Sequence, residues 1–428
     1  MSRKTVTAII LVLLVTSVFI SAFEIQSVKA RTIKVPDDYP TIQLAINHAS
    51  SGDTVYVRAG TYNENVVVNK TLLVIGENSS NTIVDGGNTG FTVSADNVTL
   101  TGFMIQNALT SIYCNSSIGG NITGNIMLNN AVGRGVRVDS SSNGNTINRN
   151  NITNGYYGIE LDSSSNNTIS NNTMTSNGDG ILLNTGCDRN TLYNNTVWND
   201  ADGIDLGTNS ENNTIARNNL TDNTIGLLVS SSHNNTVSEN NIANNNEGIW
   251  FDWSTNNTVV GNNITSNSQS GVRLRDNATN NTFFHNNFVN NHQQVDDTGE
   301  VNAWNSSYPL GGNYWSDYSG ADHFNGPFQN ITGSDGIIDN PNHLDSNNTD
   351  MYPLMRIWFH IPGDINNDCK VNLQDLVLLA LAYGTTPASG GTPGTPHHWN
   401  PNADIDNNEA VGLSDLVILA LHYGQHNP

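Results

Sequence analysis

Two stretches near the C-terminus carry the most specific chemistry of the chain: GDINNDCKVNLQDLVLLALAYG, residues 363–384, and ADIDNNEAVGLSDLVILALHYG, residues 403–424. In the first, Asp364, Asn366, Asp368, Asn372 and Asp375 fall on positions 1, 3, 5, 9 and 12 of a cation-binding loop. In the second, Asp404, Asp406, Asn408 and Asp415 fall on positions 1, 3, 5 and 12. The backbone carbonyl of Lys370 or Ala410 completes the set at position 7. Oxygen donors at alternate residues wrap a hard cation, and calcium suits their number. Each loop runs into an apolar stretch, Leu373 to Tyr383 and Leu413 to Tyr423, whose spacing predicts two helices packed on each other. Cys369 and Glu409 replace the turn glycine, which strains the backbone, and Gly412 leaves a ligand position to water.

A second group of chemistry-bearing residues lies upstream: Asp139, Glu160, Asp162 and Asp205, with Trp250 and Trp253 beyond them. A carboxylate pair supplies a general acid and base, or holds a cation. An exposed Trp stacks on a sugar ring. Whether these side chains meet depends on the elements that hold them, and those elements are repeats.

The Thr of an Asn-Thr-apolar triplet recurs at Thr146, Thr168, Thr191, Thr214, Thr236, Thr258 and Thr282. A glycine followed by alternating apolar residues recurs in phase at Gly135, Gly158, Gly180, Gly203, Gly226, Gly248 and Gly271. Two markers stepping together by 22–24 residues exclude a disordered polar tract, which keeps no register. Each unit holds three short apolar pieces between polar turns, as in TIS, NTM and GILL within Asn166–Leu183. Such strands bury nothing alone; stacked on neighbours they form a parallel β-solenoid with one side per strand. Asn suits the corners because it tolerates left-handed backbone and its amide bonds to the Asn one coil above. Leucine-rich repeats have similar periods but need a leucine ladder and a helix, which this pattern lacks.

Counting from each glycine, the first and third following residues are apolar and point inward, so the second and fourth point out. The outward rows run Arg137, Glu160, Leu182, Asp205, Leu228, Trp250, Arg273 and Asp139, Asp162, Asn184, Gly207, Ser230, Asp252, Arg275. Arg137 with Glu160, and Asp252 with Arg275, are expected to pair across rungs. Leu182 in the acidic row argues against a catalytic cleft there. Upstream, GDTVYV, TLLVIGE and NVTLTGFMIQN continue the strands less regularly, and Ile42, Ala45, Ile46 and Ala49 share one face of a short helix expected to cover the solenoid's end.

The net charge of -22, from acids scattered through a chain only 13% charged, excludes nucleic acid and anionic membranes as partners and favours divalent cations. Three cysteines cannot form a disulfide framework. Arg3, Lys4, an apolar run from Ala8 to Phe23 and Val28-Lys29-Ala30 read as a secretory signal cut after Ala30, with a retained anchor as the rival and no further membrane span. In an exported protein sequons such as Asn97, Asn151, Asn212 and Asn263 are glycan acceptors, although the NNT repeat generates most of them by itself.

The segment DDYPTIQLAINHASSGDTVYVRAGTYNENVVVNKTLLVIGE resembles the opening of pectin-lyase-like right-handed parallel β-helix proteins. The repeats, with GGNYWSDYSG and SDGIIDNPNHLD, resemble the NosD-type β-helix family over roughly residues 32–355. The two loop–helix units, one helix per loop, resemble the dockerin module, with Leu373-Gln374 and Leu413-Ser414 in place of that module's usual small hydroxyl residues. NosD likeness raises copper, which wants clustered His, Met or Cys; His233, His285 and His292 lie in different coils and the Met are dispersed. The motifs of pectin-cleaving hydrolases (Gly-His-Gly, Arg-x-Lys) are missing.

The expected chain is therefore a signal at 1–30; a right-handed β-helix of about ten coils at 31–295, its repeats clearest at 121–295; a β-helix tail or cap at 296–361; and a dockerin at 362–428. The expected function is that of a secreted, cell-surface-associated protein, binding polysaccharide and held to a cohesin-type domain through calcium. The alternative is a polysaccharide lyase or glycosidase carried on a cohesin scaffold. Between the loop copies, TTPASGGTPGTPHHWNPN reads as a flexible insert, with His397 and His398 able to hold a metal weakly.

Overall fold

The computed structural model describes residues 30–128, 133–359, 361–366, 370–386, 399–406, 408 and 410–425. The expected signal segment up to residue 29, and Asp368, Cys369, His397, His398 and Glu409, lie outside them.

The glycine marker has a steric cause. A Cβ on Gly158 would stand 2.4 Å from the Gly180 carbonyl oxygen, and one on Gly203 would stand 2.5 Å from that of Gly226. Successive coils approach too closely at this corner for any side chain. The next residues alternate as predicted: Val136, Val138, Ile159, Leu161, Ile249, Phe251, Val272 and Leu274 are all buried.

Repeating that coil yields three parallel sheets, of twelve, eleven and twelve strands, in which each strand pairs with its equivalent one coil away. In the first sheet Thr146, Thr168 and Thr191 are direct partners; in the second, Ile159, Ile181 and Ile204. The fold is an all-β, right-handed parallel β-solenoid of about twelve turns. The ten coils expected fall short because the loosely patterned upstream strands are as regular as the rest. Leu73–Gly76 pairs with Thr99–Thr101, and Thr89–Val93 with Thr110–Asn115.

The asparagines do the work predicted of them, and more. Three buried ladders run along the solenoid. In one, the backbone N–H of Asn172 donates to Asn195 Oδ1 at 3.0 Å, and Asn195 donates likewise to Asn218, Asn218 to Asn240 and Asn240 to Asn262. Each Nδ2 donates to the next Oδ1 and to a carbonyl below, as Asn218 does to Leu192 O at 2.9 Å. The second ladder passes through Asn167, Asn190, Asn213 and Asn235. The third passes through Asn177, Asp200, Asn223, Asn245 and Asn267. Two ladders end on the tail, where Asn302 N–H donates to Asn348 Oδ1 at 3.0 Å and Asn313 N–H to Asp350 Oδ2 at 2.8 Å. Buried backbone groups at the turns are thereby satisfied without water. The exposed corners carry Asn166, Asn212, Asn234 and Asn256 at positive φ, a geometry Asn accepts more readily than most residues.

A seven-residue helix, Ile42–His48 (α1), forms where predicted; Thr41 Oγ1 accepts from Leu44 N–H, and Ile42, Ala45 and Ile46 join the core. At the other end Trp304 stacks on Phe283 and Trp315 on Phe288, each with ring centroids 4.3 Å apart. Beyond the solenoid, helices Leu373–Ala382 (α2) and Leu413–His422 (α3) form one residue shorter than predicted. With Ile361, Ile365, Val371, Trp399 and Val411 they make a second apolar core, which includes Tyr193 and Ala216 of the solenoid.

Candidate functional site

On the second sheet, three rows of side chains point outward, where two were expected. The strands hold two consecutive buried residues, the glycine and its successor, so the residue before the glycine also faces out. That row runs Arg134, Tyr157, Asp179, Asp202, Ile225, Glu247. Strict alternation put it inside, so the pattern of apolar residues did not mark it.

The extra row changes which acids matter. Asp139 takes Arg137 at 2.8 Å, and Glu160 is buried against Arg134, with Arg137 Nε at 3.8 Å. The expected Arg137–Glu160 contact is thus present but secondary to Arg134. Asp162 stands one rung from Asp139 and accepts from Ser163 Oγ at 3.2 Å. The expected Asp252–Arg275 pair does not form. Arg275 turns to Asp296, whose carboxylate and carbonyl both accept from it, the latter at 2.9 Å.

Between these neutralised ends lies an acidic patch without a cation. Asp179 and Asp202 are direct cross-rung partners, and Asp205 follows on the Asp202 strand. Burial pushes the Asp179 carboxyl up to about 7, with Asp202 adding to it. Burial likewise raises Asp205 to about 7, helped by Asp179 and Asp202, and raises Asp202 itself. Burial, and like charges facing across a rung, both disfavour the ionised forms here. Such a pair supplies an acid and a base near neutrality.

The two tryptophans differ in use. Trp250 lies under the Arg273 guanidinium, 4.4 Å from its ring centroid, so that face of the ring is covered. Trp253 is 54% exposed and sits at φ 50°, where neighbouring coils place Ser231 and Asp276. The coil geometry imposes this conformation at the corners, as it does on Arg217 and Glu239 elsewhere. The sequons Asn97, Asn151, Asn212 and Asn263 are all exposed, whereas ladder asparagines are buried.

In the C-terminal module the two loops arrive at matching geometry. Asp375 Oδ1 accepts from Ile365 N–H at 2.8 Å and Asp415 Oδ1 from Ile405 N–H at 2.6 Å; their Oδ2 atoms accept from Asn372 and Gly412 N–H, both at 2.8 Å. Asp364, Asp375, Asp404 and Asp415 are all buried. Carboxylate oxygens of Asp404, Asp406 and Asp415 lie within 4.8 Å of one another. Among the described residues this is the one cluster of at least three His, Cys, Asp or Glu able to hold a metal ion. Asn366 and Asn408 are at the loop surface, as are Lys370 and, less so, Ala410.

The family model described as periplasmic copper-binding protein (NosD) matches residues 46–186 and 185–320. The chain belongs to the NosD family. No curated protein matches it in sequence. Among solved structures, the catalytic domain of a GH87 alpha-1,3-glucanase, in complex with tetrasaccharides, is 15% identical with a TM-score of 0.50, covering 67% of this chain and 69% of that one. The Dettilon tailspike protein is 16% identical with a TM-score of 0.46, covering 63% and 68%. The periplasmic alginate epimerase AlgG is 17% identical with a TM-score of 0.43, covering 61% and 71%. At these identities the likeness is one of fold.

The family description raises copper, and the described residues of this NosD-family chain do not fit it. Copper sites gather imidazole, thiolate or thioether donors. His285 is buried against Trp358, rings stacked at 5.3 Å, with Nε2 at 2.6 Å from the Leu310 carbonyl and its pKa lowered to about 4 by burial. His233 Nδ1 accepts from Thr255 N–H at 3.1 Å. Cys114 and Cys187 are buried thiols pushed up to about 12 and about 11 by desolvation. None of these joins a metal-sized cluster among the described residues. The oxygen donors of the C-terminal loops suit a hard cation instead.

Proposed function

We propose that this is an exported polysaccharide-binding solenoid held to a cohesin-type partner by a calcium-dependent dockerin at its C-terminus. One observation carries the anchor: the loop–helix unit is duplicated down to its exposed residues. Leu373 and Leu413 are 63% and 66% exposed at the start of equivalent helices, and Val377 and Val417 are both exposed one turn on. Apolar side chains repeated on the surface beside buried carboxylates suit a partner surface that docks once calcium orders the loops. The NosD family's periplasmic description supports export, and the signal-like N-terminus agrees with it. Exposed Trp253 supports a saccharide ligand for the solenoid.

A second reading, cleavage of that polysaccharide, is favoured by the Asp179–Asp202 pair with Asp205 beside it. One experiment separates them. The full mature chain is applied to cohesin-bearing beads in calcium, and a polysaccharide panel is passed over. Capture of the chain, release by a chelator and retention of intact glycan are expected. New reducing or unsaturated ends would favour the enzyme, and failure of every cohesin to capture the chain would sink the anchor.

A further inference from the structure

One corner of the solenoid is indented. Where the third sheet turns into the second, three successive coils line a shallow depression of about 500 Å³, open to solvent. Asn199, Asp222, Thr224, Asn244 and Asn246 supply its wall, and Asp200 lines it from beneath. The first five are exposed; Asp200 is 4% exposed, and its Oδ2 has no hydrogen-bond partner among the described residues.

Two exposed aromatics lie along the same corner, outside the lining of the depression. Trp198, the residue before Asn199, is 45% exposed on the third-sheet side. Tyr156 is exposed in the row of Ala201 and Thr224, two coils before Ala201. Gly178 stands between, and a Cβ there would meet Tyr156 O at 2.4 Å, so this stretch of the row stays bare. Asp179 and Asp202 begin the strands on the other side.

We infer that this corner is the subsite at which the solenoid takes a neutral oligosaccharide, laid along the solenoid axis. The inference rests on the polysaccharide reading above and locates it. Amides and hydroxyls repeating every coil, about 4.8 Å apart, offer one set of donors and acceptors to each successive sugar. Exposed rings beside them cover the apolar faces of those sugars. The charge selects the ligand class. No Lys or Arg lines the depression; the exposed Asp222 is its charged group, with the buried Asp200 beneath and Asp179 and Asp202 beginning the adjoining strands. The arginines of the adjoining sheet are engaged elsewhere, Arg134 with Glu160 and Arg273 with Glu247. A uronate polymer meets uncompensated negative charge here; a neutral one does not.

The test is calorimetric titration of the full chain with cello-, laminari-, malto- and xylo-oligosaccharides, alongside oligoalginate and oligogalacturonate. A neutral series binds, and Trp198→Ala and Asn246→Ala each weaken it at least tenfold with melting unchanged, since both side chains are exposed. Unchanged affinity in both variants overturns the subsite while sparing the polysaccharide reading. Preference for the uronates overturns the neutral ligand. Failure of every oligosaccharide to bind overturns both.

Discussion

Replacing Asp200 by Asn is expected to stabilise the solenoid by about 2–4 kcal/mol at pH 8 and by far less at pH 4. Asp200 occupies a rung of an asparagine ladder. Its Oδ1 accepts from Asn177 N–H at 2.5 Å, and its own N–H donates to Asn223 Oδ1 at 3.0 Å. Its Oδ2 stands 2.8 Å from where a Cβ on Gly180 would be, and Asn223 Nδ2 stands 3.0 Å from the same point on Gly203. An acceptor therefore sits where the ladder wants a donor: Asn223 uses that nitrogen on Val197 O at 3.2 Å. Burial raises the Asp200 carboxyl to about 7 despite two donors from Asn177, with Asp179 adding to the rise.

The folded-state value lies above the unfolded one near 3.8, so the folded chain holds the extra proton. The stability due to that proton is complete below about pH 4 and is lost as pH rises through about 7. Asn at this rung supplies the missing donor at every pH. Thermal melts of both proteins from pH 4 to pH 8 test this; a gain that does not grow with pH would contradict it. Some pH dependence persists, because Asp179, Asp205 and Asp350 are also raised to about 7 by burial.

Asn218→Ala should act in the opposite direction, costing about 4 kcal/mol or more. Asn218 Oδ1 accepts from Asn195 N–H at 3.0 Å and Asn195 Nδ2 at 2.9 Å, while its Nδ2 reaches Leu192 O, Ala216 O and Asn240 Oδ1. Truncation strands a buried N–H and at least one buried carbonyl, each costing about 1–3 kcal/mol. Because a solenoid is held by neighbour-to-neighbour contacts, the loss is expected to appear as early hydrogen exchange in the flanking coils. Asn212→Gly, at an exposed corner with φ 57°, serves as the control and should change little. Equal melting of the two variants would mean the ladders contribute little.

The solenoid was legible because its period is imposed by contacts every coil must repeat: the glycine that admits the next backbone and the asparagine that bridges to it. The polar site was less legible. Asp139, Glu160 and Asp162 stood out by type, yet two of them serve Arg134 and Arg137, whereas Asp179 was hidden by the assumption of simple alternation. A residue-by-residue column through Asp179 and Asp202 would have found the pair once two adjacent inward residues were allowed. The depression beside Trp198 had no sequence signal, because its polar lining comes from three separate coils. Of the acid loops the described residues bring together Asp404, Asp406 and Asp415, which the spacing of donors within a dozen residues had picked out.

Calcium titration of the mature chain addresses the anchor most directly. Two ions are expected per chain, one for each loop. Asp404→Asn combined with Asp415→Asn should reduce this to one and abolish capture by a cohesin that binds through the second helix. The substitutions keep the side chains' size; at Asp415 one acceptor oxygen remains for the Gly412 N–H at the helix start, and the bond from Ile405 N–H is lost. Absence of calcium uptake, or two ions still bound after both substitutions, would contradict a calcium-ordered module.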